Sequence, residues 1–240
     1  MSRARMNPNI RVARCTGMHP LRSRVTVVCG HYGTGKTNLS INLAMDCAKA
    51  GETVTLVDMD IVNPYFRSAD YSDILTEAGV RVVGPNFANT NLDTPSLPGA
   101  IRGAIEEGER VIIDVGGDDA GATALAVYRR QLQEADPDVI YVVNMYRSMT
   151  TTAEESVEIL REIEAKAHIR AAGIVNNSHL KQLTTSETVE SSMGFAERVC
   201  EITGLPLRFT TVPRGVLTLN EIEPLYPIDV YVRAPWEQDW

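Results

Sequence analysis

The sequence predicts an α/β fold, a mostly parallel central sheet of about seven to eight strands with helices on both faces. Three observations lead there. Short β-branched runs alternate with segments of helical period along most of the 240 residues. The first such run, Val25-Thr26-Val27-Val28-Cys29, empties directly into Gly30-His31-Tyr32-Gly33-Thr34-Gly35-Lys36-Thr37. Polar or glycine-rich residues (Gly30, Asp58, Pro85, Asp114, Asn144, Asn176 and Pro213) follow one strand after another. In a parallel sheet all of those ends share one rim, and right-handed strand-helix-strand crossovers are the default way to build it.

Taken in order, the strand from Val25 leads through the glycine loop to a helix over Lys36–Ala50, with Leu39, Leu43 and Cys47 on one face and Gly51 as its stop. A second strand is predicted at Thr53–Val57. Beyond its exit, Asn63 and Pro64 suit the cap and first position of another helix. A third strand, Val80–Val83, precedes a polar loop from Pro85 to Pro98, long enough to suggest a functional role as a substrate lid or a surface for a partner. A helix at about Gly99–Glu107 leads to a strand at Arg110–Val115, and one ending near Glu134 leads to a strand at Val139–Val143. Thr151–Ala167 reads as a half-buried helix and Ala171–Val175 as the sixth strand. A helix over Ser186–Thr203, a strand at Leu207–Val212 and an eighth, edge strand at Ile228–Val232 complete the reading.

Composition narrows the possibilities. An apolar content of 44% over this length supports one large domain, assigned to residues 25–240. Residues 1–24 carry Arg3, Arg5, Arg11, Arg14, Arg22 and Arg24 without an acidic residue, and are expected to be a disordered basic extension. The net charge of -8 is therefore concentrated in the body, which disfavours nucleic acid and anionic membranes as partners. Cys15, Cys29, Cys47 and Cys200 stand singly, so no disulfide framework or metal-binding pair is legible, and a cytoplasmic setting fits. No apolar run approaches the ~20 residues needed to cross a bilayer, so a soluble protein is expected.

The glycine loop carries the chemistry. G-x-x-x-x-G-K-T between a strand and a helix lets backbone N–H groups from Gly30, His31, Tyr32, Gly33, Thr34, Gly35, Lys36, Thr37 and Asn38 surround phosphate oxygens. Lys36 is placed for the β- and γ-phosphates and Thr37 for Mg²⁺, which makes this a nucleotide-binding sequence. Asp114, closing an apolar strand and opening D-x-x-G, has the pattern of a metal-holding carboxylate, with the Gly117 N–H facing the γ-phosphate. Asp58 and Asp60 form D-x-D on an extended chain, one suited to the Mg²⁺ shell and the other to the attacking water. Asp118 or Asp119 suits an N-cap. Tyr65 and Phe66 are expected to pack, and Arg67 to be solvated. The exit Asn176-Asn177-Ser178-His179 departs from the N-K-x-D that reads guanine; either Asn176 or Asn177 is suited to adenine, with Pro213 packing on the base edge.

Together the phosphate loop, D-x-D, D-x-x-G, the sixth-strand Asn and the seventh-strand Pro resemble the MinD/ParA branch (CobQ/CobB/MinD/ParA type) of the SIMIBI P-loop NTPases, from about Arg24 to Arg214. The resemblance implies ATP and Mg²⁺ as cofactors, Lys36 and Thr37 on phosphate and metal, Asp60 on the hydrolytic water, Asp114 and Gly117 at the metal and γ-phosphate, and Asn176 at adenine. It implies a slow ATPase switch that acts on a protein client and can form a nucleotide-dependent homodimer. The alternative is an ATP-dependent synthetase or amidase activating a small carboxylate, as in cobyrinate amidases. One departure stands out: where these relatives carry a signature lysine, five residues before Lys36, this chain has His31, so slow intrinsic hydrolysis is expected. The tail, residues 233–240, does not resemble a membrane-binding basic helix.

Overall fold

The computed structural model describes residues 20–60, 71–84, 97–117, 119–148, 150–216 and 224–232. The expectations at Asn63 to Arg67, at residues 85–96 of the long loop, at Asp118 and in the tail lie outside the described residues.

Eight parallel strands form one sheet: β1 (Val25–Gly30), β2 (Val54–Met59), β3 (Arg81–Val83), β4 (Arg110–Val115), β5 (Asp138–Val143), β6 (Gly173–Asn176), β7 (Leu207–Pro213) and β8 (Leu225–Ile228). Their spatial order is β3-β2-β4-β1-β5-β6-β7-β8. β1, β2 and β5 are buried along their whole length, which is why their sequences are unbroken apolar or β-branched runs rather than alternating ones. Every neighbouring pair is parallel, so all carboxyl ends reach the same rim.

Helices cover both faces. On one side α1 (Lys36–Lys49) and α2 (Ser72–Glu77) bury Leu39, Leu43, Cys47 and Leu75 against Val28, Leu56, Ile112 and Ile140. On the other, α3 (Leu97–Glu107), α4 (Asp119–Ala126), α5 (Arg129–Ala135) and α6 (Ala153–Ala167) pack on Val27, Val57, Ile113 and Tyr141, joined by Val199 of α8 (Met193–Thr203). Gly51, at φ 86°, follows the end of α1 in the left-handed conformation that stops a helix.

Several boundaries differ from the sequence reading, each for a local reason. The predicted helix 186–203 is two, α7 (Ser186–Ser191) and α8, divided at Ser192. The Ser192 hydroxyl donates to the Val189 carbonyl at 2.7 Å and accepts from Asn176 Nδ2 at 2.8 Å, competing with the helical ladder. The helical stretch before β5 is likewise divided into α4 and α5, with Tyr128 turned into the core. The final strand lies at Leu225–Ile228, not at Ile228–Val232, because pairing with β7 sets Thr210 opposite Leu225 and Pro213 opposite Ile228. Pro227 is tolerated there because β8 is an edge strand. Residues 20–24, read from sequence as part of the basic extension, lie against the amino edge of the sheet: Leu21 is buried, and Arg24 donates to the Gly108 and Ile105 carbonyls at 2.5 and 2.7 Å. The buried Arg208–Asp138 pair holds the Pro20 carbonyl and Arg22 N–H at the same edge.

Candidate functional site

The loop after β1 owes its path to glycines at positions where a side chain would collide. Gly30 has φ 152°, and a Cβ there would strike the Val142 carbonyl of the paired strand β5. Gly35, at φ 89°, is the N-cap of α1, and a Cβ would strike Asn177 Nδ2. Inside the curl, the Thr34 hydroxyl and Lys36 Nζ both donate to the His31 carbonyl at 2.9 Å. The ammonium is thus folded onto its own loop, at the mouth of the N-terminal end of α1. Burial and the neighbouring Lys36 charge push the His31 imidazole below its ordinary pKa, favouring its neutral form.

On the β4 side the acids converge. Asp58 and Asp114 are register partners across β2 and β4, each 1% exposed. The Asp58 carboxylate accepts from the Asp60 N–H at 2.9 Å, and Asp114 accepts from the Ser40 hydroxyl of α1 at 3.3 Å. Asp60, also buried, faces the same cavity as Lys36 and Thr37. Gly117 lies so close to the loop that a Cβ would sit 2.5 Å from Tyr32 N and 2.8 Å from Lys36 Nζ. Glycine is the residue that permits this contact. Hydroxyl and carboxylate oxygens at Thr37, Asp58 and Asp114 are the hard donors Mg²⁺ prefers, so the donor chemistry fits that ion. Among the described residues, no group of three or more His, Cys, Asp and Glu is close enough to hold a metal by itself. Such a set matches an ion that relies on substrate phosphates and water for its remaining ligands.

A cavity of about 470 Å³ opens over the loop. Of the residues predicted from sequence, Tyr32, Gly33, Gly35, Lys36, Thr37, Asn38, Asp60 and Asn177 line it. Gly30, His31 and Thr34 form the loop behind, while Asp58, Asp114, Gly117, Asn176 and Pro213 are not among its lining residues. The Asn176 amide is committed inward: its Nδ2 donates to Ser192 and its Oδ1 accepts from Ser178 N at 3.3 Å. Asn177 is a brace, with Nδ2 donating to the Thr34 carbonyl at 2.7 Å and Oδ1 accepting from the Thr211 hydroxyl of β7 at 2.6 Å. Asn38 also works through backbone, its Oδ1 accepting from Tyr231 N and Val232 N at 2.8 and 3.1 Å. Asn42, one turn further along α1, grips Asp229 at both N–H and carbonyl, and the segment so held presents Val230 and Val232 to the cavity.

The sequence reading missed Tyr146, Arg147, His179, Leu180, Lys181 and the 230–232 segment as parts of this wall. Asn144, closing β5, was the available signal for the loop carrying Tyr146 and Arg147. His179 accepts at Nδ1 from the Lys181 N–H at 3.1 Å, which leaves the ring proton on Nε2, buried and without a partner among the described residues. Burial, with Arg147 and Lys181 nearby, pushes this imidazole down to about 4.

A family profile described as the CobQ/CobB/MinD/ParA nucleotide binding domain matches residues 25–190. No functionally curated protein matches the chain. Among solved structures, chloroplast FtsY from Physcomitrella patens aligns with 19% identity and a TM-score of 0.54 over 88% of this chain and 65% of its own. Signal recognition particle 54 kDa protein from Aeropyrum pernix K1, solved in complex with GDP, aligns with 18% identity and a TM-score of 0.53 over 85% of this chain and 43% of its own. The cell division protein FtsY from Thermotoga maritima gives 21% identity and 0.53, over 80% and 63%. Such identities speak to the fold alone, and this chain spans less than two thirds of each of those structures.

Proposed function

The chain belongs to the CobQ/CobB/MinD/ParA nucleotide-binding family of SIMIBI-class P-loop NTPases, and from that premise we propose that it is an ATP-dependent switch, binding Mg²⁺-ATP and hydrolysing it slowly while acting on a protein client. The observation that carries the nucleotide reading is the loop itself: a left-handed Gly35 opening α1, with Lys36 at its mouth and Asp60 and Gly117 across from it. In this reading the loop amides and Lys36, released from the His31 carbonyl, hold the triphosphate. Thr37, Asp58 and Asp114 would hold Mg²⁺, which would supply neutralisation of phosphate charge. Asp60 accepts a hydrogen bond from the water that attacks the γ-phosphorus, and the electron pair of the cleaved bond leaves with ADP.

Adenine rather than guanine is supported by the chemistry of the wall. Guanine presents adjacent N1 and N2 donors on its Watson–Crick edge, a pair that a carboxylate matches, yet Asp60, at the phosphate end, is the one acidic residue among the described lining residues. Val230, Val232 and Leu180 offer apolar surface for the base. No helix among the described residues is long and apolar enough to cross a membrane.

Thermal melts with Mg²⁺-ATP and Mg²⁺-GTP test this reading. At one hundred times Kd, ligand binding to the native state adds about 2.7 kcal/mol, or roughly 5 to 10 °C at this chain length. Wild type should gain that from ATP, and Lys36→Ala should not. A melt indifferent to both nucleotides overturns the nucleotide reading; an equal response to both overturns the adenine assignment. Phosphate release raised by a protein fraction of native lysate supports the switch, whereas release raised only by small molecules supports an ATP-dependent synthetase instead.

A further inference from the structure

β5 runs beside β1, with Val142 opposite Gly30, so the loop leaving β5 stands next to the phosphate loop. That loop is fixed at several points. The Asn144 side chain accepts from Tyr146 N at 3.0 Å, Met145 N donates to the Ser178 hydroxyl at 3.0 Å, and the Tyr146 hydroxyl donates to the Thr188 carbonyl at 2.6 Å. The Arg147 backbone is held too, its N–H on the Asn144 carbonyl and its carbonyl on Thr150 N. Its side chain is exposed and makes no ion pair or side-chain hydrogen bond among the described residues. The guanidinium nevertheless lies against the loop: a Cβ on Gly33 would be 3.4 Å from Arg147 Nε and 3.5 Å from Cζ.

Holding an arginine there gathers positive charge. Arg147 shares the cavity with Lys36 and Lys181, and close enough to His179 that its charge helps keep that ring neutral. Three cations beside the single carboxylate of Asp60 among the described lining residues make a wall that favours a polyanion. We propose that Arg147 is a phosphate-binding residue of this site, supplied from the chain's own β5 loop and closing its guanidinium over the oxygens of a nucleotide's polyphosphate tail. The planar fork suits two phosphate oxygens at once, which a lysine at the same place would not match. Because the backbone is already held and only the side chain must move, little ordering opposes the contact.

The inference rests on the nucleotide reading, and the test separates the two. Binding of Mg²⁺-ATP, Mg²⁺-ADP and AMP is measured by calorimetry for wild type, Arg147→Ala and Arg147→Lys, at low and moderate salt. Arg147→Ala should melt like wild type when free, lose about 10- to 100-fold in ATP affinity as befits a charge-assisted contact, and show a shallower salt dependence. AMP affinity should change little. Arg147→Lys should recover part of the loss. Unchanged ATP affinity in Arg147→Ala, or an equal loss for AMP and ATP, overturns the assignment and leaves the nucleotide reading standing. Failure of wild type to bind any of the three overturns both.

Discussion

Replacing Asn177 by alanine separates a reader of the base from a brace of the phosphate loop. The Asn177 side chain is 1% exposed and spends both ends on the interior, one on the Thr34 carbonyl and one on the Thr211 hydroxyl. Asn177→Ala deletes both bonds, strips the Thr34 carbonyl of this donor and leaves the Thr211 hydroxyl only the longer bond to the Asn176 carbonyl at 3.4 Å, where neither Thr34 nor Thr211 has any exposed surface. A net hydrogen bond contributes about 1 kcal/mol, and a buried polar group left without a partner costs about 1 to 3 kcal/mol. A total near 3 kcal/mol lowers the melting temperature by about 6 to 12 °C at this length. Calorimetry of the free protein reads it directly, with urea unfolding as the second measure. Because the Thr34 carbonyl belongs to the loop that surrounds phosphate, affinity for ATP and GTP should fall together and their ratio should stay put. A wild-type melt together with selective loss of adenine preference would refute the brace and make Asn177 the base reader.

Asp60→Asn should keep ATP affinity and depress turnover by about 10²-fold or more, with Asp114→Asn as the metal-site comparison; normal phosphate release in Asp60→Asn would move the catalytic role elsewhere. His179 makes stability depend on pH, because its folded pKa of about 4 lies below the ordinary 6.5. Between those values the unfolded chain binds a proton that the folded chain refuses, so the stability present above pH 6.5 is lost as pH falls, by about 2 kcal/mol at pH 5. His179→Gln should flatten that slope relative to wild type in urea titrations; parallel profiles would show that the ring is solvated.

Legibility in the sequence followed distance along the chain. The glycine loop, β1 and the Asp114 exit were readable because their geometry is dictated within a few residues: a β-branched run, glycines at left-handed positions, an acid closing an apolar strand. What escaped depends on partners far away. The Asn177 bond to Thr34 spans 143 residues, and the Asn38 bond to Tyr231 spans 193. An asparagine in a loop or on a helix carries no local mark of which backbone it will hold. Ser192 is similar, since its neighbours read as an uninterrupted helix until Asn176 reaches across from β6. The edge strand was misplaced, by three residues at its start and four at its end, because Leu225–Ile228 contains Pro227, which argues against a strand anywhere except at an edge.

Strand order explains why one cavity collects such different chemistries. β1 stands in the middle of the sheet, with β4 and β2 on one side and β5, β6 and β7 on the other, so successive connections leave it in opposite directions and part at its carboxyl end. The β2 and β4 exits deliver acids, Asp58, Asp60 and Asp114, to one side of the loop. The β5 and β6 exits deliver Arg147, Asn177, His179 and Lys181 to the other. A nucleotide seated over the loop would hold its polyphosphate tail between the metal and water side and the cationic Arg147, with its nucleoside against the apolar wall. Substitutions on the acid side should therefore act mainly on turnover, and those on the opposite side mainly on affinity.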